Sequence, residues 1–387
     1  MTTAGRKTLP EKFSFTSSFA ADVWSPKTDS RAYEWWYFDA LSDDGRDAVV
    51  IIFLDNFIFS PRYNRNGRDE EKRRDGEENG LHISAGLDDS IPPAEADGPQ
   101  SRVPAVAFYY YRDGRLVCRA INEFDPAHFT ASETEPTCTI GDSFFKFDSA
   151  PYGQGYYISI DARLYKNRRL KARFEWISIE GDFAPEKKVD YHDAHVWNLV
   201  VPRADVSGKI NVLDGRDKEL DVVHFRGTGY HDHNYDNRWL PETVRDWQWG
   251  RAHFSDSTAV FYRYQECSDH PPTTKLFTVR DGELRERDAQ YDEQQPARDI
   301  FGLRYPQRLT FITDDNMRLR VKQTKVIDAS FFYLRFLSEM TLTLRDGKPR
   351  KAIGITEYLN PKALKYRWLD WLVNMRIGRR GKGALLK

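Results

Sequence analysis

Short apolar or alternating runs, separated by turn signals, recur along this 387-residue chain too closely to leave room for helices between them. In the first half they lie at 48–53, 105–111, 156–164, 172–179, 196–201 and 209–213. In the second they lie at 222–225, 247–254, 259–264, 275–279, 309–312, 319–325, 332–336 and 340–345. A period of two puts alternate side chains on opposite faces, and runs of this length fit strands better than helices. Asp44-Gly45, Asp113-Gly114, Asp214-Gly215, Asp281-Gly282 and Asp346-Gly347 fall between runs, and Asp-Gly tolerates the positive φ of tight hairpins. The pattern predicts an all-β protein of antiparallel sandwiches or barrels. The 24 Phe, 20 Tyr and 10 Trp supply strand-forming side chains for it.

A chain of this length exceeds the usual single core. Two β-domains are expected, 1–203 and 204–360, divided where the apolar run ending at Val201 gives way to Pro202 and a polar stretch. Residues 361–387 form a third piece. After Asn360-Pro361, Leu364, Trp368, Trp371, Leu372 and Met375 fall on one helical face amid Lys and Arg. This predicts a basic amphipathic helix, either packed on a barrel or lying on an anionic membrane. The charge-dense segment 64–79 reads as a solvated loop.

With 58 basic and 59 acidic residues the chain has no net field to draw it to nucleic acid. Cys118, Cys138 and Cys267 are too widely spaced for a disulfide frame or a zinc knuckle, which suits a reducing compartment. Residues 1–18 carry charges and no apolar run, so no secretory leader is expected there, and no run of about 18 apolar residues occurs that would span a membrane. The expected location is the cytoplasm, with peripheral contact to the inner membrane through the tail.

Titratable groups and large aromatics concentrate at Tyr33–Asp39 (YEWWYFD), Tyr191–Trp197 (YHDAHVW), Gly227–Trp239 (GTGYHDHNYDNRW) and Asp246–Phe254 (DWQWGRAHF). In a strand, His195 and Trp197 project together, as do Tyr230 and Asp232 if Gly229–Asn234 is extended. Glu34 and Trp36 then share one face of their strand and Trp35 and Tyr37 the other, so one pair lines a cavity and the other packs a core. His192-x-x-His195 and His231-x-His233 have ligand-compatible spacings, but no third spacing completes a recognised metal site. No GxSxG, P-loop or GxGxxG occurs, so neither a serine triad nor a nucleotide cofactor is expected.

The segment Glu34–Pro61 (EWWYFDALSDDGRDAVVIIFLDNFIFSP), HVW at 195–197 and GTGYHDHN at 227–234 together resemble the carotenoid 1,2-hydratases, or hydroxyneurosporene synthases, of a lipocalin-like superfamily. His233 stands where that family commonly carries a small hydroxyl residue. The resemblance implies two lipocalin-like β-domains and addition of water to the terminal C=C of an acyclic isoprenoid or polyene, with no cofactor and no metal. It carries His195, Trp197, Tyr230 and Asp232 over as catalytic. Substrate contacts are expected from Glu34, Trp35, Trp36 and Tyr37, and from His233, Asn234 and Trp249. Hydrating an alkene needs a proton donor, a means of stabilising a tertiary cation and a placed water. A desolvated Asp232 suits the first, the π-faces of Trp197 and Tyr230 the second, and His195 the third. An isomerase, cyclase or pericyclase would use the same acid and aromatics while excluding water, and a lipocalin-type carrier would use the pocket alone.

Overall fold

The computed structural model describes residues 13–27, 29–78, 102–150, 153–184, 194–268, 270–345 and 347–386, all but the side chains at 74–78 and 150. The chain builds a curled sheet of 13 strands, then a closed barrel of eight strands running from Val244–His253 to Pro349–Leu359. Among the described residues, the runs read from sequence fall in strands or within two residues of one. Two of the Asp-Gly turns take the expected backbone at both positions: Asp113 and Gly114 have φ of 50° and 64°, Asp281 and Gly282 of 53° and 75°, whereas at Asp214-Gly215 neither φ is positive and the left-handed residue is Asp217, at 58°. Positive φ at both central positions matches the right-handed twist of the strands they join.

The change of sheet lies later than the sequence suggested. One strand, His195–Leu213, runs unbroken through positions 203 and 204, and Glu219–Asp236 still belongs to the curled sheet. The barrel begins only after the short helix Leu240–Thr243. Pro202 is accommodated where the pairing of His195–Leu213 with its neighbour shifts, between Val201 and Ala204.

Residues Pro61–Glu78 form an 18-residue helix where a solvated loop was expected. Its polar sequence gives no apolar stripe to read, because tertiary polar contacts hold it. Arg68 bonds the Asp370 carboxylate at 2.8 Å and the Leu364 carbonyl at 2.9 Å, and Asn64 accepts from Trp239 Nε1 at 3.1 Å. The tail departs too. It is not one amphipathic helix but short helical turns, Pro361–Lys365, Arg367–Leu369 and Asp370–Asn374, followed by a two-residue strand that joins the curled sheet. Leu364, Leu369, Val373 and Ile377 face inward, while Trp368 and Trp371 are 71% and 57% exposed. The predicted face is therefore split between core and solvent.

Two apolar cores flank the central strands. One fills the curl of the large sheet; the other lies between that sheet and the barrel. The strand Tyr33–Ser42 serves both, since Trp36 and Phe38 enter the first and Tyr33, Trp35 and Tyr37 the second.

Candidate active site

Three adjacent strands, His195–Leu213, Glu219–Asp236 and Tyr33–Ser42, set the site. Their register aligns Trp197 with Asn234 and Asn234 with Trp35, and places Asp232 opposite Tyr37. Gly229–Asn234 is extended, so Tyr230, Asp232 and Asn234 share the face turned to the barrel. Asp232 is the hub of the predicted quartet. Its Oδ2 accepts from Tyr230 Oη at 2.7 Å and Trp197 Nε1 at 2.9 Å, and its Oδ1 from Asn234 Nδ2 at 2.9 Å. His195 lies on the same face but bonds elsewhere, with Nε2 2.7 Å from the Tyr262 hydroxyl and Nδ1 3.4 Å from that of Tyr33.

Burial dominates the electrostatics. It pushes Asp232 up from 3.8 to about 7, against the pull of hydrogen bonds from Trp197 and Tyr230 and with added repulsion from Glu357 and Asp39. The carboxyl therefore retains a large protonated fraction near neutrality. Burial also drives His195 down to about 4, so its imidazole is neutral. Aromatic rings wall this chamber: Tyr262 lies 4.7 Å from Trp197, and Trp249 lies 5.0 Å from Tyr230 and 5.3 Å from Tyr37, centroid to centroid.

An apolar cavity of about 210 Å³ adjoins the chamber. Trp35, Tyr37 and Trp247 line it, while Asp232, His195, Trp197 and Tyr230 do not. The rings of the dividing layer reach the quartet: Trp35 and Trp247 lie 6.2 and 6.0 Å from His195, and Tyr37 lies 6.4 Å from Tyr230. Tail residues Leu372, Val373, Ile377 and Leu386 supply another wall, together with Phe301 of the barrel. The cavity is smaller than the ~300–1,000 Å³ of pockets that enclose a whole drug-sized ligand. It suits one end of a long molecule.

Glu34, Trp36 and His233, expected at the substrate, point to the opposite face, into the core of the large sheet. Trp36 stacks on His233 at 4.8 Å, and His233 Nε2 meets Glu34 Oε1 at 2.7 Å while Nδ1 faces Asp22 Oδ1 at 3.3 Å. His231 bonds Asp22 at 3.0 Å. The period of two in the strand places 231 and 233 behind 230, 232 and 234. Among the described residues no three His, Cys, Asp or Glu side chains are grouped to hold a metal ion, and His192 lies outside those residues.

Burial opposes charge on His233, but the adjacent Asp22 and Glu34 carboxylates outweigh it and raise its pKa to about 9. Both carboxylates are correspondingly held below their ordinary values despite burial. A raised folded pKa stabilises the fold fully below the ordinary 6.5, and that stabilisation is lost as pH rises through about 9. The thermal midpoint should fall between those values, and His233→Gln should flatten the slope. Equal slopes in both proteins would contradict the pairing.

Tyr262 completes the chamber together with Tyr33 and Trp247, which lie inside the aromatic clusters of the sequence without being singled out there, and Glu357 and Arg335, outside those clusters, stand on the cavity wall. Tyr262 stands in an alternating strand run, FYRYQ, a signal that marks a strand face but not its partner.

The carotenoid hydratase CrtC family model matches residues 138–385. A Chlorobaculum tepidum protein named hydroxyneurosporene dehydrogenase is 27% identical over 96% of this chain and 94% of its own length. An acyclic carotenoid 1,2-hydratase of Rubrivivax gelatinosus is 27% identical over 61% of this chain, and one of Thiocapsa roseopersicina 25% identical over 59%. Those two matches cover only 49% and 47% of the hydratases. Among solved structures, kievitone hydratase of Nectria haematococca has a TM-score of 0.51 at 9% identity, over 91% of this chain and 97% of its own. An AttH protein of Nitrosomonas europaea has a TM-score of 0.52 at 16% identity, over 85% and 92%. These two share the fold. The matched span exceeds half of the sequence and contains the HxW and YxD pairs, and the chain belongs to the carotenoid hydratase CrtC family, a family of hydro-lyases.

Proposed function

We propose that this protein adds water to the terminal C=C of an acyclic carotenoid or related isoprenoid, without a cofactor, using Asp232 as the proton donor. The observation that carries this reading is a buried carboxyl, raised to about 7 and held by three donors, inside an aromatic chamber next to an apolar cavity. The reacting end enters through the cavity and displaces the ring layer of Trp35, Tyr37 and Trp247. Asp232 protonates the less substituted alkene carbon, and the tertiary cation faces Trp197, Tyr230 and Trp249. A desolvated cation over such rings gains about 2 kcal/mol or more, which the neutral alkene does not.

Product mass after incubation with lycopene and neurosporene in liposomes separates the readings. Hydration adds one water, cyclisation or isomerisation leaves the mass unchanged, and dehydrogenation removes two hydrogens. Bound polyene with no product would favour a carrier.

The tail gives the polyene a route from a membrane. Around the cavity mouth, Phe301, Leu372 and Leu386 on the wall adjoin exposed Ile300, Trp371 and Leu385. Lys362, Arg367, Arg380 and Lys382 are exposed on the same segment, a composition suited to an anionic interface. Replacing Trp368 and Trp371 by Ala should weaken binding to anionic vesicles by about tenfold while leaving the thermal midpoint unchanged. Unaltered vesicle binding would remove the membrane role. Deleting the whole tail is no test of it, because that would strip a wall from the cavity.

A further inference from the structure

We propose that Glu357, on the cavity wall, binds the attacking water and takes its proton; this rests on the hydratase reading with Asp232 as acid. Glu357 lies in the last barrel strand, lines the cavity, and has a side chain 12% exposed. Its Oε1 receives Tyr37 Oη at 3.0 Å and Arg335 Nε at 2.8 Å. Arg335 is itself fixed, by Tyr111 Oη at 3.1 Å and by the Tyr109 and Tyr333 rings at 4.9 and 5.3 Å. These contacts orient the carboxylate, and among the described residues both of its well-formed hydrogen bonds fall on Oε1. The Tyr333 hydroxyl, in the same wall, is buried, makes no well-formed hydrogen bond among those residues, and lies close enough to Glu357 for that carboxylate to help push its pKa up. A water in an apolar cavity needs two to four polar partners, and this wall provides them.

His195 fits the task less well. Both its ring nitrogens face phenols, it lies off the cavity wall, and burial leaves it a weak base. Tyr37, by contrast, links the two carboxylates. It donates to Glu357, and its ring meets that of Tyr230, which donates to Asp232. In the full step the alkene π pair forms a C–H bond with the Asp232 proton. A water lone pair then forms the C–O bond at the tertiary cation as a water O–H bond breaks to Glu357. Asp232 ends ionised and Glu357 protonated, and exchange with solvent restores both; nothing is oxidised or reduced.

The test uses the full chain with lycopene liposomes in D2O. Wild type should give hydrated product deuterated beside the carbinol carbon. Glu357→Gln should lower hydration by about 100-fold or more. It should still load deuterium into recovered lycopene, because Asp232 can deliver a deuteron and take a proton back from the cation. A variant that hydrates within about threefold of wild type overturns the assignment. So does one that loses hydration and label exchange together, which marks a structural role. Should E357Q not fold, Glu357→Asp keeps the charge, withdraws it by one methylene and faces the same two criteria. Failure of the Asp232 reading looks different: Asp232→Asn would then retain both hydration and exchange.

Discussion

Asp232→Asn should lower the hydration rate by about 10²–10⁴-fold, the usual contribution of a positioned general acid, with little loss of stability. The side chain keeps its size and its acceptor oxygen for Tyr230 and Trp197. The new amide would confront the Asn234 amide, but Asn234 Oδ1 makes no well-formed hydrogen bond among the described residues and can accept once that side chain turns over. The proton is what the variant lacks. The wild-type rate should fall as pH rises through about 7, where Asp232 ionises, and any residual variant activity should lose that dependence. A rate within about threefold of wild type, or an unchanged pH profile, would remove Asp232 as the acid.

Arg251→Met should destabilise the protein by about 3–5 kcal/mol, the usual cost of removing one partner from a buried ion pair. Arg251, in the first barrel strand, is 1% exposed, and its Nε bonds Asp39 Oδ1 of the large sheet at 2.8 Å. Burial already raises Asp39 against the pull of this guanidinium, and its Oδ2 has no hydrogen-bond partner among the described residues. Without Arg251 the carboxyl must be buried alone or take a proton. Asp39→Leu combined with Arg251→Met should recover most of the loss, since well-packed apolar pairs replace buried ion pairs at little cost. Denaturant unfolding measures both, and a single-variant effect below about 1 kcal/mol would show that the pair does not tie sheet to barrel.

Much of this was legible because strands encode faces locally. The period of two placed His195 with Trp197 and Tyr230 with Asp232, and separated Trp35 and Tyr37 from Glu34 and Trp36. It could not say which face met the cavity. Glu34 and His233, polar residues beside the motif, belong to a buried ion cluster with Asp22, a partner distant in sequence. The helix Pro61–Glu78 was illegible for a related reason: Arg68–Asp370 and Asn64–Trp239 are 302 and 175 residues apart in sequence and leave no local periodicity. Arg335 lies in an ordinary strand run and Glu357 in the strand Pro349–Leu359, which no run marked, and only barrel closure turns them toward Tyr37. The tail misled because its helical spacing is real for only a turn at a time, and packing under the cavity then outweighs amphipathicity.

The most direct test of the central claim is hydration of lycopene and neurosporene in ¹⁸O-labelled water by wild type and Asp232→Asn side by side, read by product mass. Wild type should give a product that gains one labelled water, and the variant should form almost none. A product lacking the label, or the same labelled product from both proteins, would contradict it.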